Sequence, residues 1–241
     1  MMGITLDNSV FNFIKSVRAF PFNLFAAKMI FISIIFFFLI PQASVIGADD
    51  WVLKKEKDGI RVYMRSVAGT EIKEIRANFF LKSSLNSVMA LLKDVPAYKE
   101  WIYRCKEVAL LNQPNQNEIY YYQQTLAPWP VTNRDLIVHS HWKQDEASKI
   151  IYINGKCMPD YIPEKDGVVR IRNFSNSWKL TPMQNGMVEI DYQISVDPAG
   201  LIPVWLVNLT VAEGPYQTCL NLIKTINNPK YKASTGIVEE P

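Results

Sequence analysis

The two histidines are the residues of this chain that most readily suggest metal or acid–base chemistry. His139 and His141 are two positions apart in a segment that alternates like a β-strand, so their imidazoles lie on the same face of it. Two imidazoles on one face can share a metal ion, yet no carboxylate or third ligand stands at a metal-binding spacing from them. We therefore expect a solvated or partly buried histidine pair, with neither a metal nor a cofactor.

Nucleophilic catalysis has no motif in this sequence. There is no Gly-x-Ser-x-Gly, no His-Glu-x-x-His and no phosphate-binding glycine loop. The three cysteines, Cys105, Cys157 and Cys219, include no Cys-x-x-Cys pair. In an oxidising compartment an odd number allows at most one internal disulfide, and the sequence leaves open whether Cys105 and Cys157 form it.

Arg134 and Asp135 are the third group that could do chemistry. Adjacent residues of a strand point to opposite faces, so only one of the two can reach into a cavity. A guanidinium group can bind a phosphate or carboxylate bidentately, which makes Arg134 a candidate for contacting an anionic headgroup. The alternative is that Arg134 pairs with a carboxylate of the protein, such as Glu189 or Asp191.

Strands must position most of these residues, because alternating segments dominate the chain. Residues 51–56, 60–65 and 75–81 predict three strands, and five or six antiparallel strands are predicted between 105 and 196. The Asn-Gly pair at 185–186 is a strong hairpin signal. The last of these strands places four apolar residues on one face: Ile190, Tyr192, Ile194 and Val196. Another element must cover this face.

Helices are predicted at two places. Ser83 or Ser84 can cap a helix that ends before Pro96, and a short helix carrying Tyr98 and Trp101 follows. Residues 203–226 form a long helix whose apolar stripe must lie across the sheet. Because Pro215 removes a helical hydrogen bond at a cost of about 3 kcal/mol, we expect a sharp bend there, or two short helices that meet.

Aromatic residues are frequent on the predicted strands and at their ends: Tyr120, Tyr121, Tyr122, Trp129, Trp142, Tyr152, Trp178 and Tyr192. One interpretation is a large core. The other is a lined cavity, since ligand pockets are mostly apolar and aromatic with a few placed polar groups. Whether the terminal helix packs flush on the sheet or roofs such a cavity is left open by the pattern.

The N-terminus has the layout of a targeting segment. An apolar run follows Lys28 and leads to small residues that end at Gly47-Ala48, as in a cleaved signal peptide. We therefore expect residues 1–48 to be a signal peptide, or alternatively an uncleaved membrane segment, and 49–241 to be one exported domain. Residues 49–241 carry 23 basic and 22 acidic side chains, and this near-neutral balance makes nucleic acid a poor partner.

Three segments resemble the START lipid-binding domains. They are the Pro-aromatic-Pro and Asn-Arg-Asp run at 127–135, the strand at 167–171, and the entry to the last helix at 197–208, where Ala199 replaces a family glycine. The resemblance covers residues 51 to about 228. It implies an α+β helix-grip fold in which a curved antiparallel sheet wraps around a long C-terminal helix, with a lipid or sterol tunnel between them.

The resemblance also implies what the protein does. We expect non-enzymatic binding or transfer of a lipid or other apolar small molecule by a monomer that makes transient contact with a membrane. The alternatives are a cyclase/aromatase-like enzyme, whose acid–base candidates would be His139, His141 and Asp135, and a ligand-sensing module. The residues predicted to contact the ligand are Trp101, Tyr122, Arg134, Trp178, Tyr192, Trp205, Leu206, Leu209 and Leu220.

Overall fold

The computed structural model describes residues 51–67, 73–197 and 204–241, with side chains in the last range from residue 212 onward. The strands are β1 (Val52–Lys57), β2 (Ile60–Ser66), β3 (Lys73–Lys82), β4 (Cys105–Asn115), β5 (Glu118–Thr125), β6 (Arg134–Gln144), β7 (Ile151–Cys157), β8 (Val169–Arg170), β9 (Asn173–Met183) and β10 (Met187–Asp197). The helices are α1 (Leu85–Lys93), a 3-10 turn (Val95–Ala97), α2 (Tyr98–Trp101), α3 (Val204–Thr225) and α4 (Pro229–Lys232).

The strands form one curved sheet in the order β1-β2-β3-β10-β9-β7-β6-β5-β4. Every neighbouring pair in this order is antiparallel. Consequently the start of β6, the start of β9 and the end of β10 lie at the same end of the sheet, where neighbouring strands begin or finish. The predicted α+β helix-grip architecture is confirmed, with a sheet that presents one face to the C-terminal helix.

Strands β9 and β10 illustrate why alternating segments of this chain become strands. Apolar residues alternate with polar ones along β10, and Ile190 and Tyr192 are buried on the inner face. Asn185 and Gly186 both adopt positive φ, at 65° and 69°, a conformation that asparagine and glycine tolerate best. This turn pairs Tyr192 directly with Trp178 across the two strands.

The predicted helix after β3 is also confirmed. The Ser84 side chain caps α1 by accepting a hydrogen bond from the backbone N–H of Ser87, which satisfies a donor that the helix itself cannot pair. Pro96 lies in the 3-10 turn. The Tyr98 hydroxyl then donates to the carbonyl of Leu92 at 2.7 Å, so α2 is held against the end of α1.

The segment between 105 and 196 contains seven strands, where five or six were predicted. Among them is β8, which is only two residues long, runs parallel to β6 and lies within the segment 167–171 that resembles a family strand. A strand this short has no alternation for a sequence pattern to detect. It forms because residues 158–168 fold back over the outer face of the sheet, where the backbone N–H of Ile171 donates to the carbonyl of Asp135 at 2.8 Å.

Helix α3 packs against β1, β2, β3 and α2, as predicted for the terminal helix. It is one helix with Pro215 inside it, so the two-helix alternative is wrong. Its second half buries the apolar side chains of Tyr216, Cys219 and Leu222 among others, and burying a large apolar side chain yields about 1.5–3 kcal/mol. That gain offsets the lost hydrogen bond at the proline.

Several sequence-based expectations concern residues outside this description. The N-terminal segment 1–48 and the helix entry before Val204 lie outside the described residues. Among the helices described, none has the length and apolar character required to cross a bilayer. The thiols of Cys105, Cys157 and Cys219 are all free, and burial raises the pKa of the Cys105 thiol to about 11.

Candidate ligand-binding cavity

A cavity of about 370 Å³ lies between the inner face of the sheet, α2 and the second half of α3. Its apolar walls come from inward-facing strand residues and from the helix: Ile75, Leu136, Ile153, Ile171, Phe174, Ile194, Val196, Gly214 and Pro215. Helix α3 therefore roofs a space and does not pack flush on the whole sheet. This volume is at the lower end of the range for sites that enclose a small organic molecule.

Five aromatic side chains cluster at one end of the cavity. The Trp178 and Tyr192 rings stack with centroids 3.7 Å apart, and Trp101 meets Trp178 edge-on at 6.2 Å. Tyr98 contacts both Trp101 at 5.1 Å and Tyr121 at 5.2 Å. Burial raises the pKa values of Tyr98, Tyr121 and Tyr192, so this end of the cavity is aromatic and uncharged.

The structure corrects the prediction for Tyr122. Successive strand residues face opposite sides, and β5 turns Tyr121 into the cavity. Tyr122 is buried on the outer face, where the Lys165 Nζ lies 4.0 Å from its ring centroid. The run of three tyrosines could not reveal which one faces inward, because a shift of one residue reverses the choice.

Positive charge is concentrated where strands begin and end. Lys73, Arg104 and Arg134 line the cavity, and Lys73 and Arg134 are the first residues of β3 and β6. The Arg134 guanidinium donates to the carbonyl of Thr132, and only 8% of the residue is exposed. Desolvation by burial lowers the pKa of Arg134, although an arginine keeps its charge at neutral pH.

The two carboxylates considered as alternative partners of Arg134 bind other side chains. Glu189 accepts a hydrogen bond from the Asn78 amide at 2.9 Å. Asp191 accepts from the Arg76 Nε at 2.7 Å. Both carboxylates belong to the polar outer side of β10, whereas Arg134 faces the cavity.

Asp135 points the other way and forms a buried ion pair with Arg170. The Arg170 Nε donates to the Asp135 Oδ1 at 2.7 Å, with both side chains 1% exposed. The same guanidinium donates to the carbonyls of Pro159, Ile162 and Pro163. The hydrogen bond to Asp135 is the largest cause of the raised pKa of Arg170. This pair fixes the segment 158–168 to the sheet.

The histidines also lie on the outer face of β6. The His139 ring stacks on Tyr120 with centroids 4.4 Å apart and planes 9° from parallel, and its Nε2 lies 3.9 Å from the Glu118 carboxylate. Within the described residues no group of three potential ligands could hold a metal ion. His139, His141 and Asp135 are therefore separated from the cavity by the sheet.

The remaining predicted contact residues fall into three groups. Trp101, Arg134, Trp178 and Tyr192 line the cavity. Leu220 is half-buried and packs against the core on a part of α3 away from the lining, because the helix turns Thr218 toward the cavity instead. The side chains of Trp205, Leu206 and Leu209 lie outside the described residues.

Sequence reasoning missed several lining residues, and Asn176 is the most informative of them. It lies on β9 between Phe174 and Trp178, which also face inward. The period-two pattern of this strand was a sufficient signal to place it there. The residue type gives no such signal, since asparagine is usually an exposed residue.

The chain is similar to known proteins both in sequence and in structure. A family model described as START domain matches residues 46–230. An uncharacterized protein of Pseudomonas aeruginosa is 36% identical over 175 residues, which are 73% of this chain and 86% of that protein. The phosphatidylcholine transfer protein of Rattus norvegicus is 25% identical over 193 residues, covering 78% of this chain and 88% of that protein. The solved structure of a STAR-related lipid transfer protein fragment from Xanthomonas axonopodis matches with a TM-score of 0.69 and 34% identity, covering 75% of this chain and 100% of the fragment.

Proposed function

The chain belongs to the START domain family, and on that premise we propose that it binds one lipid-like ligand in its cavity and transfers it without altering it chemically. The observation that carries this proposal is the apolar, aromatic-lined space of about 370 Å³ beneath α3. An acyl chain gains about 0.8 kcal/mol for each methylene that it buries. The name of the rat relative, phosphatidylcholine transfer protein, supports a lipid as the ligand class.

The placement of the acid–base candidates favours a carrier over an enzyme. General acid–base catalysis requires a titratable group within hydrogen-bond reach of the substrate. Among the described residues that line the cavity there is no histidine and no carboxylate, and His139, His141 and Asp135 lie on the opposite face of β6. A cyclase/aromatase-like activity on this fold would need a different set of residues, so it is the weaker of the two hypotheses.

Arg134 is the residue we propose to contact an anionic headgroup. Replacing it with methionine should weaken the binding of a fatty acid by about 1.5–3 kcal/mol, the scale of a hydrogen bond to a charged group. Titration of a fluorescent fatty acid against both proteins measures this change. Arg172→Met is the matched control, because Arg172 pairs with Asp160 and Glu164 on the exposed surface and should not affect affinity. A large fall in melting temperature with unchanged affinity for the fatty acid would instead make Arg134 a structural residue.

The loop between β5 and β6 is the part we propose to contact a membrane. Trp129 is 91% exposed and Leu126 is 40% exposed, while Ala127, Pro128 and Val131 of the same loop line the cavity. Tryptophan favours the boundary between water and lipid headgroups. A loop that is both cavity wall and exposed apolar surface can therefore bring the cavity to the bilayer.

Trp129→Ala should slow transfer of a fluorescent lipid between vesicles at least about tenfold, because a tryptophan buries roughly 150–250 Å² at about 25 cal/mol per Å². Affinity for a soluble fatty acid should stay unchanged. Met183→Ala is the control, since Met183 is an exposed apolar residue at the far end of β9. Equal transfer rates for the two variants would mean that the membrane contacts another surface. Binding without any transfer by the wild-type protein would favour the ligand-sensing hypothesis.

We further propose that the protein acts as a monomer outside the cytoplasmic membrane, after removal of residues 1–48. The layout of residues 28–48 supports export. The N-terminal residue of the mature protein decides between this and an uncleaved anchor: Ala48 or Asp49 supports cleavage, and Met1 supports the anchor.

A further inference from the structure

Two polar groups at the aromatic end of the cavity lack the partners that buried polar groups require. The Trp101 Nε1 and the Asn176 Oδ1 have no hydrogen-bond partner among the residues that the structure describes. Trp101 is 2% exposed, so its N–H is also shielded from bulk water. Ser140, 8% exposed, lines the same cavity. Because most buried polar groups are paired, an unpaired donor and an unpaired acceptor in one cavity require an explanation.

These groups are close to one another in the fold. Asn176 pairs with Gly155, and Gly155 with Ser140, so the three lie side by side across β9, β7 and β6. Trp178, two residues beyond Asn176 on the same face, is the ring that Trp101 contacts. The polar groups and the aromatic cluster therefore form one end of the cavity.

Gly155 makes room for the Asn176 amide. A Cβ atom at position 155 would lie 2.1 Å from the Asn176 Oδ1 and 3.0 Å from a methyl carbon of Val138. Any larger residue would push the amide away from the strand. The amide N–H of Asn176, and not its unpaired Oδ1, hydrogen bonds to the hydroxyls of Tyr121 and Tyr192, which opposes the rise in their pKa values that burial causes. The position of this amide is thus built by the sheet.

We propose that this end of the cavity binds a hydroxyl group carried on the apolar chain of the ligand. The inference rests on the function proposed above, and it names a ligand class: an acyl chain with an anionic headgroup near Arg134 and a hydroxyl far from that headgroup. One hydroxyl is both a donor and an acceptor, so it can donate to the Asn176 Oδ1 and accept from the Trp101 Nε1. An unsubstituted chain would expel water from these groups and leave both unpaired.

The distance along the sheet indicates where the hydroxyl lies on the chain. Arg134 and Ser140 are six residues apart on β6, which corresponds to about 20 Å at roughly 3.3 Å per residue. The Arg134 side chain reaches into the cavity and takes up part of this distance, so the acyl chain spans only the remainder. A hydroxyl next to the carboxylate is therefore too close to Arg134. A hydroxyl beyond the middle of a long chain can reach Asn176.

The test compares three probes on the wild-type protein: octadecanoic acid, 2-hydroxyoctadecanoic acid and 12-hydroxyoctadecanoic acid. Each is measured by displacement of a fluorescent fatty acid. We expect the 12-hydroxy acid to bind at least about tenfold more tightly than octadecanoic acid, because the cavity then leaves no polar group unpaired. The 2-hydroxy acid should gain nothing. Equal affinity for all three would overturn the hydroxyl site and leave the carrier function standing, whereas binding of none of them would contradict the carrier function itself.

Two variants assign the preference to named residues. Asn176→Leu should abolish the preference for the 12-hydroxy acid while octadecanoic acid binds as well as before or better. Trp101→Phe keeps an aromatic ring, removes the N–H, and should reduce the preference at least threefold. Asn154→Leu makes the same chemical change on the exposed outer face of β7 and should leave all three affinities unchanged. A 12-hydroxy preference that survives both Asn176→Leu and Trp101→Phe would place the hydroxyl elsewhere and overturn the assignment.

Discussion

Asp135→Asn is expected to lower the free energy of unfolding by about 3–5 kcal/mol, the usual cost of removing one partner from a buried ion pair. Asp135 and Arg170 are both 1% exposed, so the change leaves the Arg170 charge buried without its carboxylate. The three carbonyls that also bind Arg170 belong to the segment 158–168, and that segment should loosen first. Urea denaturation followed by tryptophan fluorescence measures the loss.

The matched control for this variant is Asp160→Asn. Asp160 forms an ion pair with Arg172 in which the side chains are 82% and 54% exposed, and exposed pairs contribute only about 0–1 kcal/mol. The two substitutions remove the same charge from the same kind of pair, so their difference isolates burial. Similar losses for both variants would show that the Asp135 pair has no special structural role.

Ile194→Asp is expected to weaken ligand binding at least about a hundredfold, or about 2.8 kcal/mol at 1.4 kcal/mol for each factor of ten. Ile194 faces the cavity in the middle of β10, and a bound acyl chain would have to remove water from the new carboxylate. The effective penalty for taking such a charge out of water is several kcal/mol. Equilibrium titration with a fluorescent fatty acid gives the affinity, and thermal melting reports how much the fold itself is weakened.

Two controls separate cavity polarity from other effects of this change. Ile194→Leu conserves volume and apolar character, so binding should stay within about twofold. Asn154→Asp adds a carboxylate to the outer face of the sheet, away from the cavity lining, and should leave the fatty acid affinity unchanged. If Ile194→Asp retained wild-type affinity, the ligand could not lie along β10.

Much of the fold was predictable because its strands alternate and its helices carry local signals. The alternation of Ile190 and Tyr192, the hairpin at Asn185 and the cap at Ser84 each depend on neighbouring residues alone. The family resemblance then supplied the arrangement of these elements, and the fold and the family match confirm it.

The site was harder to predict because one part of the sheet is buried on both faces. The segment 158–168 covers the outer side of β5 and β6, so Tyr122 and Asp135 are as buried as Tyr121. Burial on both sides removes the contrast between polar and apolar faces that normally reveals the direction of a strand. Alternation alone could not reveal strand β8, which only the family resemblance indicated, since it depends on the ion pair between Asp135 and Arg170, which are 35 residues apart in the chain.

The central claim is that the cavity holds a single lipid-like molecule, and native mass spectrometry of the purified protein tests it most directly. After incubation with vesicles that contain several lipid classes, the wild-type protein should carry a mass excess equal to one lipid molecule per chain. Organic extraction should then release a lipid of that same mass. The Ile194→Asp variant should carry no such excess, and its melting curve should show that it is folded. A wild-type protein without any bound lipid, or a variant that retains it, would contradict the account.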